Sequence, residues 1–457
     1  MCGIFGANWK SSDDVERARL SINNRGPDYT NTVKVDNFYF SHNRLSIQDL
    51  SSKSNQPFHY KDSILLYNGE LWNEQSLNLL NCDGDVEKFA DYLYYNLDNL
   101  KEINGMFAFS FYKDSILYLG RDHIGEIPIY YYHNGNKFCF ASEIKAIKAF
   151  EESISIKEIK LLPPGSLLSF DGNSVDIKQW YEIPTQIIDR PQEDIILNLR
   201  NLIEKATLTK IPKEVPYTVL LSGGIDSSII AYLLHKVNPN IEAFTVSLSG
   251  RESKKLSHDL YHAREMAKFL NIKLHEINID EDYVIQNINK TVEVIEDKSW
   301  TQVSSGLPHL AMANEIKKLG YKVVFSGSGS DELFASYPTE KRWSYYDDKY
   351  HEARCNLIKK IHKTNTIREN KCMMHYSQEI RSPFLEKNFV EYAMSIPVRY
   401  RYLNKRMKPL LRMAFDKEIP ENILWREKVC EGDGVGIEYM VKNQKQNIID
   451  HYKKVYK

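Results

Sequence analysis

The chain has 457 residues, 42% of them apolar, enough for about three domains of ~150 residues or two larger ones. Its 60 basic residues balance 61 acidic ones, and a net charge of −1 removes the global electrostatic reason to propose nucleic-acid binding. The sequence has neither a long apolar run nor a signal-peptide pattern at its start. We therefore expect no membrane association and a cytoplasmic location.

The first 180 or so residues are predicted to form stacked antiparallel sheets. Short apolar runs alternate there with Gly, Asn and Asp, a spacing typical of such sheets. The runs are Phe38–Phe40, Ile64–Tyr67, Met106–Tyr112, Ile116–Leu119 and Lys137–Ala141. Helical patterns at Asp13–Asn23 and Asp85–Leu97 could cover the sheets.

After Tyr181, a polar stretch flanked by Pro184 and Pro191 is typical of a linker and divides the chain into predicted domains 1–185 and 192–457. Strands and helices then alternate, which predicts a parallel sheet with crossover helices. The predicted strands are Thr218–Leu221, Ala243–Ser247 and Lys322–Ser326. The predicted helices are Ile195–Thr207, Ser227–His235, Tyr261–Leu270 and Leu310–Leu319, and the chain after Asp331 is predicted to be mostly helical.

Cys2 directly follows the initiator methionine. Cysteine is small enough for Met1 to be removed, which would make Cys2 the first residue. The α-amine of a first residue has a pKa near ~7.7–8.0, so a useful fraction is neutral at pH 7 and can accept the thiol proton. Cys2 would then be a nucleophile with its own base, although an arbitrary second residue is the alternative interpretation.

An acyl-transfer site also needs an oxyanion hole. Asn68-Gly69 offers a side-chain amide and a backbone N–H after an apolar run. Arg44 could bind an amino-acid carboxylate, and Asp85 or Glu70 could receive its ammonium group. Taken singly, Asn-Gly is more often a hairpin turn and Arg44 is more often a surface residue. These residues therefore support an acyl-transfer site only in combination with Cys2.

A glycine-rich loop, Leu220–Ser228, follows a predicted strand and opens a helix. Its glycines let the backbone approach an anion, its hydroxyls can donate, and the helix N-terminus favours negative charge. It lacks the Gly-Lys-Ser/Thr of a Walker loop. Asp226 inside such a cradle indicates a bound cation, and a second loop, Ser326–Phe334, carries Asp331 after another strand.

Motifs in both halves resemble, in order, those of the glutamine-hydrolysing asparagine synthetases and cover essentially the whole chain. The N-terminal motifs are Cys2–Gly6, Arg25–Asp28, His42–Ile47, Asn68–Glu70, Gly105–Phe109, Gly120–His123 and Ala141–Glu143. The C-terminal motifs are Leu220–Ser228, Ser326–Phe334, Arg368–Lys371, Arg381–Phe384 and Arg426–Gly436.

For the N-terminal half, the resemblance implies a class II glutamine amidotransferase domain with the αββα sandwich of N-terminal-nucleophile hydrolases. Cys2 would attack the side-chain amide of L-glutamine and release ammonia, with Asn68 and Gly69 as the oxyanion hole. The implied glutamine-binding residues are Arg44, Ile47, Asn68, Glu70 and Asp85.

For the C-terminal half, the resemblance implies an ATP-pyrophosphatase domain, an α/β fold with a doubly wound parallel sheet and extra helices. Mg²⁺ would bind Asp226 and Asp331, and Lys428 would stabilise charge on the adenylate or the tetrahedral intermediate. Arg368–Lys371 and Arg381–Phe384 would contact phosphate, or form a helix surface and a helix end. The implied ATP-binding residues are Leu220, Ser222, Gly223, Gly224, Asp226, Ser227, Ser228, Val246, Ser326 and Gly327.

Two departures fall at the acceptor site. Bacterial asparagine synthetases of the most similar type carry Glu where Ser328 stands, and their aspartate-gripping stretch has Arg where this chain has Ser304. The resemblance implies L-aspartate as the acceptor, giving asparagine, AMP and pyrophosphate, with ammonia crossing an internal channel. The alternatives are another carboxylate, such as a uronic acid or a secondary metabolite, and a catalytically impaired regulatory homologue. A homodimer is left open.

Overall fold

The computed structural model describes residues 1–74, 77, 84–249, 258–337, 347–400, 402–403, 406–426 and 436–456. Within these ranges, an N-terminal region of two antiparallel sheets precedes a C-terminal region built on a parallel sheet. Lys428, the predicted charge-stabilising lysine, lies outside the described residues. No helix in the described part of the chain is long and apolar enough to cross a membrane.

The N-terminal region has two six-stranded antiparallel sheets among its described residues. Its strands are β1 (Gly3–Ala7), β2 (Tyr29–Val35), β3 (Phe38–Arg44), β4 (Phe58–Tyr60), β5 (Ser63–Leu71), β6 (Gly105–Lys113), β7 (Ile116–Arg121), β8 (Tyr130–Asn134), β9 (Lys137–Ala141), β10 (Lys160–Leu161), β11 (Ser166–Phe170) and β12 (Val175–Gln179). One sheet has the order β10-β8-β9-β1-β3-β2 and the other β12-β11-β7-β6-β5-β4.

Helices cover the outer faces of these two sheets. They are α1 (Ser12–Ser21), α2 (Asp85–Asn96) and α3 (Ile144–Phe150). Successive residues of a strand point to opposite faces, so Ile4 packs in the cluster that holds Leu66 of β5, while Phe5 packs with Ala18 of α1. Phe89 of α2 packs on the outer face of the second sheet. These layers confirm the predicted αββα sandwich.

The C-terminal region is built on a five-stranded sheet. Its strands are β13 (Tyr217–Leu220), β14 (Ala243–Leu248), β15 (Leu274–Ile279), β16 (Val323–Phe325) and β17 (Glu379–Arg381). Their order is β15-β14-β13-β16-β17, and each neighbouring pair is parallel. The chain winds outward from β13 to β15 and then returns to β16 beside β13. Ligands of doubly wound sheets bind at such a reversal, outside the carboxyl ends of the strands.

The described helices of this region flank the sheet and extend beyond it, which confirms the predicted α/β class with extra helices. They are α4 (Gln192–Thr209), α5 (Ile225–Val237), α6 (His258–Leu270), α7 (Glu281–Ile295), α8 (Trp300–Lys318), α9 (Ser330–Leu333), α10 (Asp347–Ile361), α11 (Ile367–Met374), α12 (Lys387–Met394), α13 (Pro409–Met413), α14 (Glu421–Leu424), α15 (Glu438–Asn443) and α16 (Lys445–Val455). A two-stranded ribbon, β18 (Tyr402–Leu403) and β19 (Arg406–Met407), precedes α13.

Strand β15 and helix α7 were not predicted, and helix α8 and strand β17 differ from the sequence predictions. Helix α8 begins at Trp300, ten residues before the predicted start at Leu310, and keeps Pro308 inside it. A proline is usually found in the first turn of a helix, so Pro308 is in an unfavourable position inside α8. Strand β17 lies where the sequence predicted mostly helix. It was not predicted because two of its three residues, Glu379 and Arg381, are charged and do not give the apolar pattern of a buried strand.

Candidate active sites

Cys2 lies next to the first strand, buried where the two regions meet. Its backbone N–H donates to Asn68 Oδ1 at 2.6 Å. The ammonium group of Met1 is paired with Glu379 of β17, and both side chains are fully buried. Removal of Met1 would turn the Cys2 nitrogen, now held by Asn68, into a free α-amine.

The two predicted oxyanion donors lie beside this nitrogen on β5. Asn68 is fully buried, and its Nδ2 has no hydrogen-bond partner among the described residues. At Gly69 a Cβ atom would lie 2.1 Å from the Met106 carbonyl oxygen, so only glycine fits there. A buried amide donor without a partner is costly unless a ligand uses it.

The Cys2 thiol needs a base. Burial raises the pKa of the thiol, while the nearby positive charges of the N-terminus and Arg44 oppose this rise. A thiol with a raised pKa is protonated at neutral pH and is a poor nucleophile. Removal of Met1 would place a free α-amine, a base with a pKa near ~7.7–8.0, on the same residue as this thiol.

Arg44 and Ile47 lie at the carboxyl end of β3 and just beyond it. The Arg44 guanidinium donates to the Ser51 carbonyl at 2.6 Å and to Asn55 Oδ1 at 2.7 Å. It is therefore buried and anchored by the loop 49–55, not a solvated surface residue. Ile47 packs into the apolar cluster beneath it.

Glu70 and Asp85 belong to a buried acidic cluster. Burial and the Glu379 carboxylate raise the pKa of Glu70 well above its usual range, although Arg381 Nη2 lies 3.2 Å from Glu70 Oε1. Burial, Glu74 and Glu379 raise the pKa of Asp85 to about 7. Carboxylates held together in this way favour a cationic ligand, because a positive charge relieves their repulsion.

In the C-terminal region, the loop after β13 folds back on itself and leads into α5. Ser222 Oγ lies 3.1 Å from Ser227 Oγ and accepts from the Gly224 N–H at 3.3 Å. Gly223 has a φ of +67°, and a Cβ atom there would lie 2.4 Å from the Ala263 nitrogen of α6. The loop therefore has the tight turn and helix N-terminus of an anion cradle.

Asp226 and Asp331 converge on one cation, the ammonium group of Lys408. Lys408 Nζ lies 2.7 Å from Asp226 Oδ2 and 2.6 Å from Asp331 Oδ1, and Asp226 Oδ1 is buried without a partner among the described residues. Two converging carboxylates fit a hard cation such as Mg²⁺. No cluster of three or more metal-ligating side chains occurs in the described ranges, so phosphate oxygens would have to complete the coordination.

Most predicted nucleotide and metal residues meet at one cavity outside the carboxyl ends of β13 and β16. Gly223, Gly224 and Ser228 belong to the same β13–α5 loop. The predicted residues that line the cavity are Leu220, Ser222, Asp226, Ser227, Val246, Ser326, Gly327 and Asp331.

The sequence reasoning missed Lys408, which contacts two carboxylates of this cavity, and Glu369, which lines it. Lys408 carried no signal, because a lone lysine is usually a solvated surface charge. Glu369 of α11 lines the far wall with Ser304 and Ser328, and the Ser328 hydroxyl donates to Glu369 Oε1 at 2.7 Å. The motif that contains Glu369 was recognised, but nothing in it pointed to the carboxylate.

The two segments interpreted as phosphate contacts or helix surface are buried instead. Lys371 pairs with Glu296 at 2.5 Å. Arg381 lies on β17, not at a helix end, and its Nε donates to Glu379 Oε1 at 2.7 Å. Their charges are thus paired inside the protein.

Two family models match the chain. A model of asparagine synthase matches residues 198–354 and 340–453, and a model of the glutamine amidotransferase domain matches residues 1–163. The first spans more than half of the chain and contains the β13–α5 loop. The second contains Cys2 and Asn68.

Curated relatives match almost the full length. Asparagine synthetase B (glutamine-hydrolysing) of Escherichia coli strain K12 is 32% identical over 96% of this chain and 83% of its own. Asparagine synthetase (glutamine-hydrolysing) 3 of Arabidopsis thaliana is 31% identical over 96% of this chain and 80% of its own. The solved glutamine phosphoribosylpyrophosphate amidotransferase from B. subtilis covers 61% of this chain and 81% of that chain at 14% identity and a TM-score of 0.33, a likeness too remote to carry weight. The chain therefore belongs to the asparagine synthetase family of glutamine-hydrolysing carbon–nitrogen ligases.

Proposed function

We propose that Cys2 hydrolyses glutamine, that the C-terminal region adenylates a carboxylate with ATP, and that the released ammonia converts the acyl-adenylate to an amide. The products are glutamate, the amide, AMP and pyrophosphate. The acceptor is L-aspartate and the amide is asparagine, the product in the names of the curated relatives.

In the glutaminase step, the Cys2 α-amine takes the thiol proton and the sulfur attacks the side-chain amide of glutamine. Asn68 Nδ2 and the Gly69 N–H donate to the oxygen that becomes negative. Such donors are each worth roughly 2.7–4 kcal/mol in acyl transfer. Arg44 holds the substrate carboxylate, and Glu70 and Asp85 hold its ammonium group.

In the adenylation step, the Ser222–Ser228 loop holds the phosphates of ATP at the N-terminus of α5. Mg²⁺ bound by Asp226 and Asp331 would neutralise phosphate charge as pyrophosphate leaves. Lys408 holds both carboxylates in place. Lys428 stabilises the developing charge, as the resemblance implies.

The observation that carries this proposal is the contact between the two sites. Asn370 Nδ2 lies 2.9 Å from Met1 Sδ, and the preceding residue, Glu369, lines the ATP cavity. The space occupied by Met1 therefore adjoins both Cys2 and the wall of the synthetase cavity. Once Met1 is removed, this space is the route we propose for ammonia.

A second acceptor class has support from the cavity wall. Among the described residues that line the cavity, His309 is the one side chain able to carry a positive charge. Ser304 stands where the resemblance places an arginine that grips aspartate. An unpaired buried carboxylate costs several kcal/mol. This wall suits a carboxylate without a second acidic group, such as a uronic acid.

An acceptor screen tests the function. The purified chain is mixed with ATP, Mg²⁺, glutamine and one candidate carboxylate at a time, and pyrophosphate, AMP and amide are measured. We expect equal amounts of AMP and pyrophosphate with L-aspartate. Turnover with a uronate but not with aspartate would contradict the asparagine assignment, and no pyrophosphate with any acceptor would favour a regulatory homologue.

The raised pKa of Asp85 predicts a pH dependence of glutamine binding. Below about pH 7, Asp85 is increasingly protonated and cannot pair with the glutamine ammonium group. The KM for glutamine should therefore rise by up to about tenfold per pH unit below 7.

Glutaminase assays from pH 5.5 to 8.5 measure this dependence. Asp85→Asn should have a high KM at every pH and a flat profile in this range. Glu87→Gln, which changes an exposed acid on the same helix turn, should retain the wild-type profile. An unchanged profile in Asp85→Asn would assign the titration to another group.

A further inference from the structure

The ATP cavity ends on a carboxylate that the nucleotide and glutamine sites do not use. Glu369 projects from α11 to the cavity wall and is buried except for that face. A network of hydroxyls fixes it: Ser326 Oγ donates to Ser328 Oγ at 2.8 Å, and Ser328 Oγ donates to Glu369 Oε1 at 2.7 Å. Because Ser328 belongs to the loop after β16, this network joins Glu369 to the nucleotide side of the cavity.

We propose that Glu369 is the proton acceptor for the ammonia that attacks the acyl-adenylate, supplying from α11 the carboxylate that position 328 of this chain lacks. The inference rests on the proposed function, because it assigns a residue to the second half of that reaction.

The step balances without any further reactant. The lone pair of ammonia forms the C–N bond to the acyl carbon, and the carbonyl oxygen becomes negative in the tetrahedral intermediate. A proton passes from the nitrogen to Glu369. The C–O bond to phosphate then breaks, its electron pair leaves with AMP, and the amide carbonyl reforms. Glu369 later releases its proton to water.

The surroundings of Glu369 suit a proton acceptor. Burial raises the pKa of Glu369, while Arg368 and the hydrogen bond from Ser328 oppose the rise. The charged and titratable groups nearest to it are Arg368, whose Nη2 lies 3.9 Å from Oε1, and His309, whose Nε2 lies 4.0 Å from Oε1. A carboxylate accepts protons best when its pKa is near the working pH. All these contacts use Oε1, so Oε2 is the oxygen that would face the substrate.

Glu369 also stands where ammonia would arrive. The next residue, Asn370, contacts Met1 Sδ through Nδ2 and accepts from Arg25 Nη1 at 3.1 Å. Glu369 therefore directly precedes a residue that contacts the glutaminase site, whereas Asp226 and Asp331 are held by Lys408.

The test uses Glu369→Gln in the full-length enzyme. Three activities are measured: glutaminase, acceptor-dependent exchange of labelled pyrophosphate into ATP, and amide formation with either glutamine or ammonium chloride. Loss of a proton acceptor should lower amide formation by about 10²–10⁴-fold while exchange stays close to the wild-type rate. The adenylate then hydrolyses unused, so the ratio of AMP to amide should rise well above one.

A second variant separates this role from a structural one. Ser328→Glu combined with Glu369→Gln returns a carboxylate to the cavity from the β16 loop and should recover part of the amide formation. Amide formation by Glu369→Gln close to the wild-type rate would overturn the proposal, and so would an equal loss of exchange and amide formation. If the wild type itself shows no acceptor-dependent exchange, the proposed function fails and the assignment of Glu369 fails with it.

Discussion

Replacing Cys2 with alanine is expected to lower glutamine-dependent amide formation by at least about a thousandfold, because no other group replaces the nucleophile. Activity with ammonium chloride should remain close to wild type, since the ATP cavity lies in the other region and keeps its residues. Alanine at position 2 is also small enough for Met1 to be removed, so this substitution should leave any trimming of the N-terminus unchanged. The rates of amide formation with glutamine and with ammonium chloride, measured separately, test whether only the glutamine-dependent activity is lost.

Two controls sharpen this experiment. Cys139→Ala removes another fully buried thiol, on β9 of the same sheet, and should keep both activities. A version with an N-terminal extension that cannot be trimmed keeps Cys2 but leaves its nitrogen in a peptide bond. It should behave like Cys2→Ala, because the thiol loses its base. Loss of ammonia-dependent activity in Cys2→Ala would refute the division of labour between the two regions.

The sequence predicted the layers of the fold because their signals are local. The apolar runs around Ile64–Tyr67 and Met106–Tyr112 have the period of strands, and the structure extends them to β5 and β6. The glycine-rich Leu220–Ser228 loop follows an apolar strand and opens a helix, as its pattern predicts. Both motifs contain in a few neighbouring residues the information that sets their geometry.

Contacts between charged residues far apart in the sequence could not be predicted in this way. Glu379 meets the N-terminus 378 residues away in sequence, and Lys408 meets Asp226 182 residues away. Neither Glu379 nor Lys408 lies in a periodic apolar segment or in a motif that points to its role. The role of each can be identified only from the partner that it contacts. Glu369 is a similar case, because its carboxylate is notable only once Ser328 is known to face it. Charged residues buried by long-range pairing are the part of this site that only the structure reveals.

Replacing Asp226 with asparagine is expected to lower acceptor-dependent pyrophosphate release by at least about a hundredfold, in line with the loss of one preorganised electrostatic contact. The substitution removes one of the two carboxylates that converge on Lys408 and leaves Asp331 as its partner. Glutaminase activity should persist, because Cys2, next to β1, and Asn68, on β5, belong to the other region. Pyrophosphate release and glutamate formation, measured in the same preparation, distinguish the two effects.

The matched control is Glu242→Gln. Glu242 is a partly buried carboxylate whose Oε2 lies 2.5 Å from His275 Nε2, and it directly precedes β14, at the amino ends of the parallel strands and so opposite the cavity. Its loss removes a contact between a carboxylate and a side-chain nitrogen without touching the converging carboxylates, so pyrophosphate release should stay near the wild-type rate. If both variants lose pyrophosphate release equally, the effect of Asp226→Asn reflects the stability of the sheet. If only Asp226→Asn loses it, Asp226 and Asp331, which follow the neighbouring strands β13 and β16, form the cation site that adenylation requires.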